Sequence, residues 1–271
     1  MMTAAKQRRK TMLPRTVVRV ANRVYRKLAH RSRPRLRAFP GVAPGVLQCC
    51  IAYNEYGGYC VPLASLHRPA AQKILAGAVW EPETIDFLAA LGKGGDIVHA
   101  GTFFGDFLPA LSASTSGTVW AFEPHPENFR CAELTLRLNA LDNVELVKAG
   151  LGDRKATVSM EIANVRGRPL GGASRIIDAS TLERGRTVDI GIVTIDAMIP
   201  PDRKVAVIQL DVEGYEQLAL AGALETIRRC RPVLVIETVP ERSWLESHIL
   251  SLGYRITGQV SAQANTILRP A

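Results

Sequence analysis

Hydrophobic positions in this chain fall into short, nearly unbroken runs separated by stretches with helical spacing. Asp96–Gly101, Thr118–Phe122, Val144–Ala149, Lys204–Leu210 and Pro232–Ile236 are runs of strand length, the fourth apolar except for Lys204 and Gln209. Strands buried on both faces need such runs. Between them the spacing predicts helices. Phe104–Ser114 carries Phe107, Leu108 and Leu111 on one side, with Pro109 tolerated in the first turn. Glu127–Ala140 turns Phe129, Ala132, Leu136 and Ala140 inward, and Tyr215–Arg229 reads as one long helix. Pro82 and Pro126 suit first helical positions, the former opening a helix over Glu83–Leu91. His67–Ala78 and Ser243–Leu252 complete the helical set, and residues 46–63 predict short strands about Gly57 and Gly58.

Residues 154–195 lack helical spacing. They alternate as short β segments, Thr157–Ile162 and Thr187–Val193, around a glycine-rich Gly167–Ala173, and predict an insertion that covers a site. Tyr254–Thr257 and Thr266–Leu268 predict a final antiparallel pair. Five strands alternating with helices imply an α/β fold with a mostly parallel, doubly wound sheet. Ligands of such sheets bind at the carboxyl ends of the strands, where Gly101, Glu123, Gly150, Asp211 and Glu237 stand.

The stretch Asp96–Pro124 carries the first chemistry. Gly101 and Gly105 bracket a tight turn after a strand, and Glu123 ends the next strand 18 positions after Gly105. That layout is a nucleotide-binding βαβ half, whose acid accepts hydrogen bonds from ribose hydroxyls. The dinucleotide fingerprint G-x-G-x-x-G is absent, because position 103 is Phe. A backbone that is not pressed onto a pyrophosphate fits a cofactor without phosphates, such as S-adenosylmethionine.

Composition changes the picture at the N-terminus. Thirteen Lys or Arg lie between Lys6 and Arg37, the first acid is Glu55, and a net charge of +9 therefore leaves the remainder at −4. Residues 1–13 are polar enough to predict disorder. Pro14–Ser32 predicts a basic amphipathic helix with Val17, Val20 or Ala21, Val24 and Leu28 on one face. Such a segment reads first as a solvated, weakly ordered extension, and next as a helix suited to an anionic membrane surface or a partner. Nucleic acid is the lesser expectation, since Tyr25 is the sole aromatic there. Pro40–Pro44 marks a linker, dividing the chain into a basic extension (1–40), a cap of helices and short strands (41–95) and a cofactor-binding domain (96–271). No apolar run reaches the length of a membrane span and no secretory leader is evident, so a cytoplasmic protein, peripheral to a membrane at most, is expected. The five cysteines show no C-x-x-C spacing; Cys131 and Cys230 read as small core residues.

Several blocks, taken in order, resemble one family, the FkbM-type S-adenosylmethionine-dependent methyltransferases. They are VWEPETIDFL (Val79–Leu88), AFEPHPENF (Ala121–Phe129), RLNAL followed by NVELVKAGLGD (Arg137–Asp153), QLDVEGYEQLALAGA (Gln209–Ala223) and RPVLVIE (Arg231–Glu237). The resemblance implies a Rossmann-like class I methyltransferase fold with a C-terminal antiparallel hairpin, here preceded by the basic helical extension. One block departs. Many members read V-D-V-G-A-N-x-G, whereas this chain reads Val98-His99-Ala100-Gly101-Thr102-Phe103-Phe104-Gly105, with His99 where the family has an acid. Asp106 is the nearby carboxylate able to substitute; His99 is otherwise a hydrogen-bonded strand histidine.

The resemblance implies O-methylation of a hydroxyl on a sugar, glycolipid or natural product. Cofactor contacts then fall to His99, Gly101, Phe103, Gly105, Asp106, Glu123 and Leu151. Pro124 and His125 would wall the adenine, and Asp153 would accept its amine or simply form the turn. Asp211 and Glu213 would stand nearest the reacting methyl. Either serves as base, with His125 in reserve, or the two hold a divalent metal that acidifies the hydroxyl, the metal-free route being preferred. Glu216 reads as the solvated first turn of a helix. An oxidoreductase, a nucleic-acid methyltransferase and a non-catalytic cofactor-binding protein are the rival readings.

Overall fold

The computed structural model describes residues 46–177, 185–261 and 265–271. The expected basic helix and the Pro/Gly linker lie outside the described residues.

The chain opens with an antiparallel hairpin, β1 (Cys49–Tyr53) and β2 (Gly58–Pro62). Helices α1 (Pro69–Leu75) and α2 (Pro82–Gly92) follow. The central run then becomes β3 (Asp96–Ala100), α3 (Leu108–Ser114), β4 (Val119–Phe122), α4 (Pro126–Asn139) and β5 (Val144–Val147). Short β6 (Gly150–Leu151), β7 (Ala156–Ala163), β8 (Arg175–Ile176) and β9 (Arg186–Val193) form the insertion. A single turn, α5 (Ile195–Met198), leads to β10 (Val205–Leu210), α6 (Glu216–Ala221) and α7 (Leu224–Cys230). The chain ends with β11 (Val233–Ile236), α8 (Arg242–His248), β12 (Tyr254–Val260) and β13 (Asn265–Pro270).

Seven strands form the main sheet in the order β12-β13-β11-β10-β3-β4-β5. Pairing is parallel from β11 to β5, and β13 runs antiparallel between β11 and β12. This is the doubly wound class I methyltransferase arrangement that the alternation of strands and helices and the family resemblance predict. Alternate side chains divide the core. Ile97, Val119, Val207 and Val235 face α2 and α3, while Val98, Phe122, Ile208 and Ile236 face the layer containing α6, α7 and α8.

Three elements differ from the spacing-based expectation. Helix α3 starts at Leu108, four residues late, because the turn runs on through Gly105 at φ 83°. The helix expected over Tyr215–Arg229 is two helices. They break at Gly222, where a Cβ would lie 2.0 Å from the Gly152 carbonyl oxygen. The last helix stops at His248 and continues as one 3-10 turn, Leu250–Leu252.

The insertion folds into its own four-stranded sheet, β6-β9-β7-β8. The N-terminal hairpin is clamped to α4 through Asn139, whose amide exchanges hydrogen bonds with Gly58 at 2.9 and 2.7 Å. Among the described residues, no helix is long and apolar enough to cross a membrane.

Candidate active site

Strand register sets up the site. Ala100 pairs with Phe122 and with Leu210, and Leu210 pairs with Ile236. The next residues, Gly101, Glu123, Asp211 and Glu237, therefore stand in a row just past the sheet's edge.

Glu123 is buried and gripped on both oxygens. The main-chain N–H of Phe103 donates to Oε2 at 2.7 Å and that of His125 to Oε1 at 2.8 Å. Burial pushes its carboxyl up to about 8 against these bonds. Each oxygen keeps a lone pair for a ligand hydroxyl. Phe103 delivers its N–H from a left-handed conformation, φ 53°, that glycine adopts without strain.

Glu123 forms the polar floor of a crevice of about 550 Å³ at the strand ends. Its walls include Phe122, Pro124 and Leu151, with Met160, Ile176 and Gly172 contributed by the insertion. A largely apolar crevice with an acid at its floor has the chemistry to receive a nucleoside.

A second, larger crevice of about 930 Å³ adjoins it, and the two share Gly101, Phe103, Gly172, Asp211 and Glu213. Here lie His99, Asp106, Glu81, Glu237 and Trp80. His99 pairs across the sheet with Gln209, its Nδ1 lying 2.5 Å from Gln209 Oε1, and its ring stacks on Phe107. An amide oxygen only accepts, so Nδ1 carries the proton and Nε2 presents a lone pair. Burial lowers the His99 pKa to about 4, holding the ring neutral. Its Nε2 is buried without a hydrogen-bond partner. Asp106 is buried as well, and that burial pushes it up to about 7.

Asp211 is half-buried at the boundary between the crevices. Burial, and then Glu237 beside it, raise its pKa well above the usual carboxylate range. Glu213 sits at φ 54° on the exposed turn that follows. Burial of its carboxyl and the nearby Glu237 raise its pKa too. Glu216 is not solvated: it is 1% exposed, and its Oε1 accepts from the Val212 N–H at 3.0 Å, holding that turn in shape.

The structure brings most of the residues singled out from the sequence to these crevices, with three exceptions, His125, Asp153 and Gly105. His125 caps α4, its Nδ1 accepting from the N–H groups of Glu127 and Asn128 at 3.2 and 3.4 Å. Its side chain lines a separate pocket beside Glu127 and Arg186, away from the crevice above Glu123, so neither the adenine wall nor the reserve base falls to it. Asp153 is exposed, pairs with Arg154 at 2.9 Å and lines neither crevice. Gly105 belongs to the turn after β3 and lines neither crevice; a Cβ on it would stand 3.1 Å from Leu108 and 3.3 Å from Thr135. Among the described residues, no group of three or more His, Cys, Asp or Glu side chains is arranged to hold a metal ion.

Sequence reasoning missed Met160, Ile176, Tyr215, Trp80 and Glu81. Glu81 had a readable signal, an acid directly before the helix-opening Pro82. Its left-handed backbone, φ 45°, turns the carboxylate to accept from Thr84, Asn265 and Ser261 at 2.8, 3.2 and 3.3 Å.

Residues 99–256 match the family model described as the methyltransferase FkbM domain. Among solved structures, the methyltransferase FkbM from Methylobacillus flagellatus KT is 23% identical, with a TM-score of 0.45. The match covers 64% of this chain and 42% of that one, so this chain spans less than half its length. A SAM-dependent methyltransferase from Aquifex aeolicus is 15% identical over 76% of this chain and 94% of its own, with a TM-score of 0.40. TYW2 of M. jannaschii, solved in complex with AdoMet, is 12% identical over 84% and 86%, with a TM-score of 0.41. No curated protein matches the chain.

Proposed function

The chain belongs to the FkbM family of S-adenosylmethionine-dependent methyltransferases, and we propose that it methylates a hydroxyl oxygen of a sugar, glycolipid or natural product. The observation that carries this reading is the pair of crevices meeting at Asp211, one apolar with a carboxylate floor and one polar. A group-transfer enzyme needs two such compartments with one point of contact.

In this reading Glu123 accepts the two ribose hydroxyls, while Phe122, Leu151 and Met160 exclude water around the adenine. S-Adenosylmethionine, when bound, supplies a methyl group on a sulfonium sulfur, which leaves as a neutral thioether. Asp211 orients the acceptor hydroxyl and takes its proton. A hydroxyl is a weak acid, and a carboxylate whose pKa is raised by burial and by Glu237 is a stronger base than one in water. Phe103 separates the two compartments, its ring against Gly172.

Calorimetric titration with S-adenosylhomocysteine and NAD in parallel tests the reading. Binding of the first and not the second supports it, and the reverse favours an oxidoreductase. A lipid-linked acceptor would give the basic residues 14–32 an anionic surface to rest on. Sedimentation with anionic vesicles, before and after deleting residues 1–40, tests that; unchanged sedimentation removes it.

A further inference from the structure

We propose that the acceptor carries a cationic amine beside its hydroxyl, received in the larger crevice by the His99 Nε2 lone pair and the surrounding carboxylates. The inference rests on the methyl-transfer reading and narrows its substrate class.

Two independent observations carry it. The first is the lone pair: His99 is 2% exposed, lines this crevice, and has Nδ1 committed to Gln209. Its Nε2 therefore needs a donor, and none of the described residues supplies one. An unmet buried acceptor is costly unless a ligand N–H or O–H meets it. The second is charge. Among the described residues, five carboxylates, Glu81, Asp106, Asp211, Glu213 and Glu237, line this crevice beside one guanidinium, that of Arg68.

The methyl donor cannot balance this by itself. Even leaving aside Asp106 and Asp211, whose pKa values burial raises, three acids remain. Glu81, Glu213 and Glu237 then oppose Arg68. The donor brings a sulfonium and an ammonium but also its own carboxylate, a net single positive charge, so one negative charge stays unbalanced. An ammonium on the acceptor neutralises it, and Trp80 adds an aromatic wall of the kind that attracts such cations. The same charge argues against an acceptor presented on a phosphate backbone, which the acids would repel.

The full chain saturated with S-adenosylhomocysteine is titrated with glucosamine, N-acetylglucosamine and glucose. Calorimetry reads affinity, and the His99 ring nitrogen resonances report contact at Nε2. Glucosamine is expected to bind at least about tenfold tighter than its N-acetyl derivative and to shift the Nε2 resonance. Glu237→Gln is expected to shrink that preference. Equal or weaker binding of glucosamine, or no binding of any of the three sugars, overturns the inference, and the wild-type comparison alone decides it. Failure to bind S-adenosylhomocysteine would instead overturn the methyl-transfer reading.

Discussion

Gly101 lies so close to Asp211 that a Cβ on it would stand 1.9 Å from the Asp211 carbonyl oxygen. The end of β3 thus sets where Asp211 begins, through main-chain contact alone. Gly101 also sits at φ 86°. Gly101→Ala combines a backbone clash with left-handed strain, and is expected to destabilise the fold by about 2–4 kcal/mol. Chemical denaturation measures this; a loss below about 0.5 kcal/mol would mean that the two strand ends are free to part.

Removing the Glu123 carboxylate should weaken donor binding sharply. Two hydrogen bonds from the ribose hydroxyls are lost in Glu123→Ala, and the dissociation constant for S-adenosylhomocysteine is expected to rise by a factor of about 100 or more. Calorimetry on folded variant protein checks it, with circular dichroism confirming the fold.

Asp211→Asn should separate binding from turnover. The amide keeps the shape but cannot take a proton, so donor affinity is expected to hold while the rate falls by a factor of about 10²–10⁴. Equal losses in both quantities would assign Asp211 to donor binding instead.

Burial raises Glu123 to about 8 and Asp106 to about 7, from ordinary values of 4.5 and 3.8. The folded state therefore holds protons that the unfolded chain gives up. Their contribution to stability is complete below the unfolded values and is lost as pH rises through 7 to 8. The thermal midpoint of the ligand-free protein should fall between about pH 4 and 8 and level off above that, and fall less steeply in Glu123→Gln. A flat profile would mean that both carboxylates are already ionised in the fold.

At the opposite end of β3, Asp96 is buried. Arg203 holds it in a two-pronged pair at 2.5 and 2.8 Å, with Trp120 Nε1 and the Thr118 N–H donating as well. Burial works to raise the Asp96 pKa, but these bonds outweigh it and leave the pKa below the ordinary value. Its contribution is therefore present above about pH 4 and lost on acidification. Arg203→Ala should cost about 1–3 kcal/mol, less than for a fully buried pair because Arg203 reaches solvent. Denaturation midpoints at pH 7 and pH 3 measure it, and the difference should shrink at the lower pH.

The sheet was legible because β3, β10 and β11 are buried on both faces, and so are written as unbroken apolar runs. Glu123 was legible because a lone acid closing such a run has few roles. The roof was not. Met160 and Ile176 reach the crevice above Glu123 only through pairings between β7, β8 and β9, and local spacing carries no record of those distant partners. His125 misled because a helix N-cap and a pocket wall occupy the same place in sequence; only the direction of Nδ1 separates them. Glu216 and the break at Gly222 were hidden for a related reason. Each depends on a backbone neighbour brought close by the fold, Val212 for one and Gly152 for the other.

The antiparallel β13 is the last strand along the chain yet lies between two earlier ones. A ribosome making this protein therefore delivers β11 well before its neighbour, leaving the backbone groups along one side of β11 bare during synthesis. The sheet cannot be finished from the N-terminal side, however well that part has already folded. Assembly must wait for residues 265–270 to emerge and slot into a gap held open for them, which makes those few residues the closing stitch of the whole domain.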